Sequence, residues 1–320
     1  MRNLITDVHG VVVGNAEDAR IVTGVTVIGF DRPAVASAVV RGGAPGGRDM
    51  SLLEADRTVE AVDAVVLSGG SAFGLDAAGG VQAVLRAAGR GFAVGSMTVP
   101  IVPQAIVFDL LNGGDKTWGD KPPYWDLGAR AARALGKDFR LGTAGGGFGA
   151  TTATFRGGLG SASATTSTGH TVGAIVVVNA IGSATIGAGR HFWAAPYERD
   201  REFGGLGWPS RLPADALTFR TKGHQPATTI ALVATDAVLT KPQARRLAEM
   251  ADDGLARALR PAHAPLDGDT VFAAATGARP LADPLRDLTE IGTLAADCLA
   301  RAIARGVYEA TGPGSWKSGA

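Results

Sequence analysis

Short runs of Val and Ile alternate with Ala- and Leu-rich stretches along most of the chain. The runs at 11–13, 24–28, 64–67, 173–178 and 229–235 are largely apolar and rich in Val and Ile, the pattern of buried strands. Three segments instead repeat at helical spacing. One follows Gly69-Gly70-Ser71 and carries Leu75, Ala78, Val81 and Leu85 on one side. A second starts at Thr240, which forms a capping-box pair with Gln243, and continues through Ala244, Leu247, Ala251, Leu255 and Ala258. The third starts at Asp283-Pro284, an N-cap followed by proline in the first turn. It directs Leu285, Leu288, Ile291, Leu294, Cys298 and Ile303 inward and is expected to stop at Gly306. The periodicities predict an α/β fold, layers around mixed sheet, with no low-complexity linker and no internal repeat. Residues 112–126 and 190–213 break the pattern with charges and most of the large rings. Both read as loops that by default cover the core edge, and that also suit pocket lining or subunit contacts. Residues 1–310 form one domain on this reading, and 311–320 are expected to be a disordered tail.

Composition narrows the function. The 320 residues are 46% hydrophobic, enough for a large core, and 6% aromatic, so Ala, Val, Leu and Ile carry the packing. Net charge is +1 with no basic run, which gives no support to a nucleic-acid partner. The single cysteine, Cys298, excludes an internal disulfide and a thiolate-rich metal site, and its apolar helical face makes it a core residue. Met1-Arg2-Asn3 leads into Ile5-Thr6-Asp7 without an apolar segment, and 172–186 is too short and glycine-broken to span a bilayer. A soluble, cytoplasmic protein with no membrane partner is expected.

Familiar catalytic signatures are missing. There is no G-x-S-x-G elbow, no G-x-x-x-x-G-K-[ST] loop and no H-E-x-x-H. The five histidines have no metal spacing, so zinc is not expected. Gly145-Gly146-Gly147-Phe148-Gly149 lacks the acidic residue that a dinucleotide loop needs downstream. Hydroxyl nucleophiles remain, without a histidine partner. A threonine can use its own α-amino group as base once the chain is cut before it. Such a site needs a polar loop, then Thr, then a rigid buried strand. Residues 220–227 followed by Thr228-Thr229-Ile230-Ala231-Leu232-Val233 supply that order, although an ordinary loop-to-strand junction has the same appearance. Downstream, Asp267 and Asp269 flank Gly268 before another apolar strand. In extended geometry the two carboxylates point the same way, as they also do in a plain D-G turn.

Longer motifs decide between these alternatives. Residues 5–10 (ITDVHG), 41–46 (RGGAPG), 67–78 (LSGGSAFGLDAA), 99–103 (VPIVP), 157–163 (GGLGSAS) and 176–179 (VVVN) occur in this order before the Thr-Thr-Ile strand. With them the chain resembles, over nearly its whole length, the P1 family of self-processing peptidases and amidases. That family includes L-aminopeptidase/D-esterases, β-aminopeptidases and nylon-oligomer hydrolases. Thr228 with Asp267 and Asp269 is similar to its threonine-nucleophile, 6-aminohexanoate-oligomer-hydrolysing members.

The resemblance implies a four-layer αββα sandwich of N-terminal-nucleophile type. It implies cleavage between Ala227 and Thr228 into fragments 1–227 and 228–320, assembly as a homo-oligomer, a tetramer of processed protomers, and no metal or organic cofactor. Thr228 would be the nucleophile for self-cleavage and for turnover, Asp267 and Asp269 would position it, and Asn179 would stabilise the oxyanion. Three positions depart from the family pattern: Ala227 replaces an asparagine, Arg156 a lysine, and Phe108 a tyrosine of the site, whose ring can then only pack. The expected substrates are amides of linear ω-amino acid oligomers. Alternatives are β- or D-aminoacyl peptides and esters, or a silent relative that Ala227 keeps uncut.

Overall fold

The computed structural model of the chain describes residues 1–223 and 225–319. In chain order its elements are β1 (Val11–Asp18), β2 (Thr23–Val40), β3 (Gly47–Arg48), β4 (Ala61–Ser68), α1 (Ala77–Ala87), β5 (Phe92–Val94), β6 (Met97–Val99) and β7 (Gln104–Ile106). They continue with α2 (Tyr124–Arg133), β8 (Gly158–Thr165), β9 (Thr171–Asn179), β10 (Thr228–Ala237), α3 (Lys241–Ala258), β11 (Thr270–Arg279) and α4 (Pro284–Glu309). One mixed sheet runs β3-β7-β4-β2-β11-β10-β9-β8, with β1 paired to β2 and a separate β5-β6 hairpin.

Strand β2 makes this sheet fold over. Its first half pairs with β1 and β4, and its second half pairs with β11, keeping β4 only at Ala34 and Val35. Between them the register with β4 shifts from Gly29 to Ala34, across exposed Asp31, Arg32 and Pro33. Pro33 has no N–H for a ladder, so a break is favoured there. Three hydrophobic clusters then define four layers. Ile175, Val177, Ile230, Leu232 and Phe272 face Ile28, Phe30, Val65 and Leu67 between the two halves. Their neighbours along the strands, Val176, Val178, Ala231 and Val233, face outward onto Leu247, Leu255, Leu299 and Ile303 of α3 and α4. On the other side Val25, Val27 and Val66 meet Val81, Leu85 and Leu127 of α1 and α2. The strict alternation of a strand is what splits one Val/Ile run between two cores. Each fully buried Val, Leu or Ile adds about 1.5–3 kcal/mol. The order α, sheet, sheet, α is the αββα sandwich expected, with the two sheet layers joined through β2.

The helix caps form as the sequence indicates. Thr240 and Gln243 make the capping box, with Thr240 N–H donating to Gln243 Oε1 at 2.8 Å, and Asp283 accepts Leu285 and Arg286 N–H at 3.2 Å. Other expectations are corrected. Gly306 does not end α4, which runs on to Glu309. The glycine sits against β8 instead, where its added Cβ would be 3.1 Å from Gly160 N and one at Gly160 would be 1.8 Å from Ala302 O. Glycine here is a packing device. Within the expected loop 112–126, Tyr124 already begins α2 and is fully buried. The tail is not loose: Trp316 packs its ring against Phe192 (centroids 5.8 Å apart) and Tyr308 (4.9 Å). Ala320 lies outside the described residues. Among the described residues no helix is long and apolar enough to cross a membrane.

Candidate active site

Three chain segments converge at one end of the sheet. Antiparallel register places Thr228, first residue of β10, directly opposite Asn179, last residue of β9, so both side chains leave the same face. On the other flank Ala227 forms a parallel bridge with Asp267: Ala227 N–H donates to Leu266 O at 3.2 Å, and Gly268 N–H donates to Ala227 O at 3.1 Å. The Thr228 hydroxyl donates to the same Ala227 carbonyl oxygen. Thr228, Asn179, Ala227, Asp267 and Asp269 are all buried. Gly268 fits here because it lacks a side chain; a Cβ would stand 2.8 Å from Thr228 Oγ1 and 3.1 Å from Ala44 O.

The two carboxylates differ in surroundings. Asp269 accepts Thr229 N–H at 2.7 Å on Oδ1, and the main-chain N–H and ring Nδ1 of His263 at 2.9 and 3.0 Å on Oδ2. Asp267 Oδ2 accepts Ala264 N–H at 2.8 Å, whereas its buried Oδ1 has no partner among the described residues. Burial first, then repulsion from Asp269, pushes the Asp267 carboxyl up to about 6.

Asn179 is held from several sides. Its Oδ1 accepts Thr151 N–H at 3.0 Å and Lys222 Nζ at 3.1 Å, and its Nδ2 donates to Phe108 O at 2.9 Å. Lys222 also reaches Thr151 O at 3.0 Å and Asn179 O at 3.1 Å. Asn179, Phe108, Thr151, Lys222, Gln225 and Pro226 border a cavity of about 90 Å³. The segment before Thr228 therefore occupies part of the space beside Asn179. His224 of that segment lies outside the described residues.

Arg156 bridges Thr151 through its main chain, but its side chain is engaged away from Asn179. Its Nη2 donates to Phe148 O at 2.8 Å and its main-chain N–H to Gly314 O at 2.8 Å. The cation on Asn179 is Lys222, a residue that sequence reasoning passed over as part of a polar loop. His263 was passed over too, and Phe108 contributes a carbonyl, which no side-chain motif reveals. No group of three or more His, Cys, Asp and Glu able to hold a metal is found among the described residues.

Burial moves the Lys222 ammonium down to about 7, against a smaller opposing pull from Asp267. Because the folded value lies below the unfolded one, the unfolded chain binds the extra proton between these values. The Lys222 contribution to stability is therefore lowest below about pH 7 and rises as pH climbs toward the unfolded pKa of about 10.4. Thermal melts of uncut Thr228→Ala protein at pH 7 and 9.5 should show this rise, and adding Lys222→Met should flatten it. Equal slopes in the two proteins would exclude Lys222 as its source.

Comparison with known proteins identifies the family. The model of Peptidase family S58 matches residues 3–316. The chain belongs to peptidase family S58. Family membership makes it an amide-bond hydrolase of the aminopeptidase and amidase type. An uncharacterized aminopeptidase of Mycobacterium bovis is 42% identical across 96% of this S58 chain and 94% of its own length, and one from Mycobacterium leprae is 40% identical across 94% and 89%. Among solved structures, a Burkholderia sp. beta-aminopeptidase superposes with a TM-score of 0.69 at 24% identity, covering 97% of the S58 chain and 87% of its own. The L-aminopeptidase D-Ala-esterase/amidase of Ochrobactrum anthropi, described as a new variant among the Ntn hydrolase fold, gives 0.67 at 20% identity, covering 98% and 89%. At these identities the structures establish the shared fold.

Proposed function

We propose that the chain is a self-processing aminopeptidase or amidase with Thr228 as nucleophile, first toward its own Ala227–Thr228 bond and then toward substrate amides. The supporting observation is the placement of the Thr228 hydroxyl on the carbonyl of Ala227, whose oxygen also receives Gly268 N–H at 3.1 Å. A nucleophile held against the carbonyl it attacks, with a donor on the oxygen that gains charge, is the arrangement acyl transfer needs.

In self-cleavage Thr228 Oγ1 bonds to the Ala227 carbonyl carbon and the C–N bond breaks. The hydroxyl proton ends on the Thr228 nitrogen. Water then hydrolyses the Ala227 ester, leaving a carboxylate on Ala227 and a free hydroxyl and amine on Thr228. In turnover this amine takes the hydroxyl proton as Oγ1 attacks the substrate carbonyl and passes it to the departing amine. Water clears the acyl-enzyme. Asn179 Nδ2 has two hydrogens and spends one on Phe108 O, so the other serves the oxyanion.

The names borne by the relatives favour a substrate with a free amino terminus, releasing an aminoacyl group. Linear 6-aminohexanoate oligomers share the amine and the amide at longer spacing and remain the second reading, supported by the resemblance of Thr228, Asp267 and Asp269 to the threonine-type enzymes. Intact-mass analysis of freshly purified protein tests the first half of this proposal. Fragments 1–227 and 228–320 are expected, and a single chain that persists on incubation would overturn it. Comparing α- and β-aminoacyl anilides with 6-aminohexanoate oligomers decides the second half by which is hydrolysed at the greater kcat/KM.

Gly268→Ala should slow the cut at least tenfold, about 1.4 kcal/mol, because its methyl meets Thr228 Oγ1 at 2.8 Å. A time course of intact mass after cell-free synthesis measures this, and cleavage at the parent rate would show that the hydroxyl has room to move.

A further inference from the structure

Charged side chains from separate segments form a line leading away from Thr228. Asp269 takes Thr229 N–H on one oxygen and both the main-chain N–H and ring Nδ1 of His263 on the other. The far ring nitrogen, Nε2, is 3.5 Å from Asp252 Oδ2 on α3. The same Asp252 oxygen lies 3.5 Å from Arg41 Nε, just beyond β2. His263 has φ +58°, a left-handed conformation in which its N–H and ring reach the same carboxylate oxygen.

The strand end explains why this grip matters. Regular pairing of β10 with β11 starts only at Ile230 opposite Thr270. Thr229 N–H, one residue earlier, is received by the Asp269 side chain instead, so the carboxylate extends the ladder to the residue that follows the nucleophile. How firmly Thr228 is aimed then depends on how firmly Asp269 is held.

We propose that His263 is a positioning residue: by locking Asp269 Oδ2 it leaves Oδ1 fixed on Thr229 N–H and so fixes the strand end from which Thr228 projects. The proposal rests on Thr228 being the self-cleaving nucleophile. Charge suits the role. The charged groups facing the ring are Asp269 and Asp267 before β11 and Asp252 on α3, with Arg41 after β2 and Asp253 on α3 acting on Asp252 in turn. The hydrogen bond to Asp269, aided by the fields of Asp252, Asp269 and Asp267, raises the proton affinity of His263 against the opposing effect of burial. A protonated ring donates to Asp269 through Nδ1 and stands as a cation 3.5 Å from Asp252, whose own carboxyl burial pushes up.

The test follows self-cleavage of the full chain after cell-free synthesis, by intact mass against time. His263→Gly removes the ring without strain at this φ, and His263→Asn restores a donor near the place of Nδ1 while tolerating the left-handed conformation. The expected result is a cut about tenfold slower in H263G and recovery to within about threefold of the parent in H263N. A ring that only fills space would not be rescued by the smaller amide. In parallel, the His263 imidazole is titrated by NMR in uncut Thr228→Ala protein. Its midpoint should lie above that of an ordinary histidine and fall on adding Asp269→Asn. H263G cutting at the parent rate, H263G and H263N slowing equally, or a midpoint indifferent to Asp269→Asn would each overturn the proposal alone. A parent chain that is never cut would overturn the Thr228 reading and this one with it.

Discussion

Replacing Thr228 with alanine leaves the chain in one piece and without measurable amidase activity. The loss should be at least about 10⁴-fold, because the same hydroxyl is the nucleophile in both reactions and its neighbours hold no substitute. The fold should survive. Thr228 begins a ten-residue strand that is buried throughout, and alanine removes only a methyl and the hydroxyl at its end. The lost hydroxyl leaves Gly268 N–H still on the Ala227 carbonyl, so the precursor geometry persists without an attacking group. Thr228→Ser restores the hydroxyl and should restore the cut. Intact mass of the two variants beside the parent measures all three outcomes. A T228A protein that still divides into 1–227 and 228–320 would sink the assignment, since no other side chain could then be excused from doing the chemistry.

The interior of this fold was far more legible in the sequence than the site. Strands β9 and β10 stand out because no polar residue interrupts 172–178 or 230–234, a pattern of strands covered on both faces. The starts of α3 and α4 are written in Thr240, Gln243 and Asp283. Gly306 misled because glycine ends helices as often as it lets two backbones approach, and only the nearness of β8 separates the two. Helix α2 was hidden because Tyr124 and Trp125 look like loop aromatics until Tyr124 is seen buried between α1 and the sheet. At the site, Thr228, Asp267, Asp269 and Asn179 were marked by motif, and the structure brings all four to one end of the sheet. Lys222 and His263 carry no such mark. A lone lysine in a polar loop is ordinarily solvated, and a lone histidine ordinarily fills a corner. Each acquires its partners only through strand register and loop closure, which join residues 43 positions apart at Lys222–Asn179.

Asn179→Ala carries the second largest expected effect, a fall of about 10²–10³ in kcat. The argument is one of register. Thr228 and Asn179 are cross-strand partners, so a carbonyl attacked by Oγ1 must bring its oxygen near the amide of Asn179. That oxygen becomes negative only in the transition state, and a donor acting on it alone lowers kcat while leaving KM little changed. The substitution also strips Thr151 N–H and Lys222 Nζ of the Oδ1 they share, and it frees Phe108 O. Lys222 keeps Thr151 O and the Asn179 main-chain oxygen, neither of which is touched, so the cation remains seated. Self-cleavage should be less impaired than turnover, because Gly268 N–H already serves the Ala227 oxygen. Steady-state kinetics on an aminoacyl anilide, with the cut followed by mass, separates the two effects. If kcat stays within about threefold, the oxyanion of turnover is held elsewhere, and Gly268 N–H, vacated once Ala227 departs, is the group positioned to hold it.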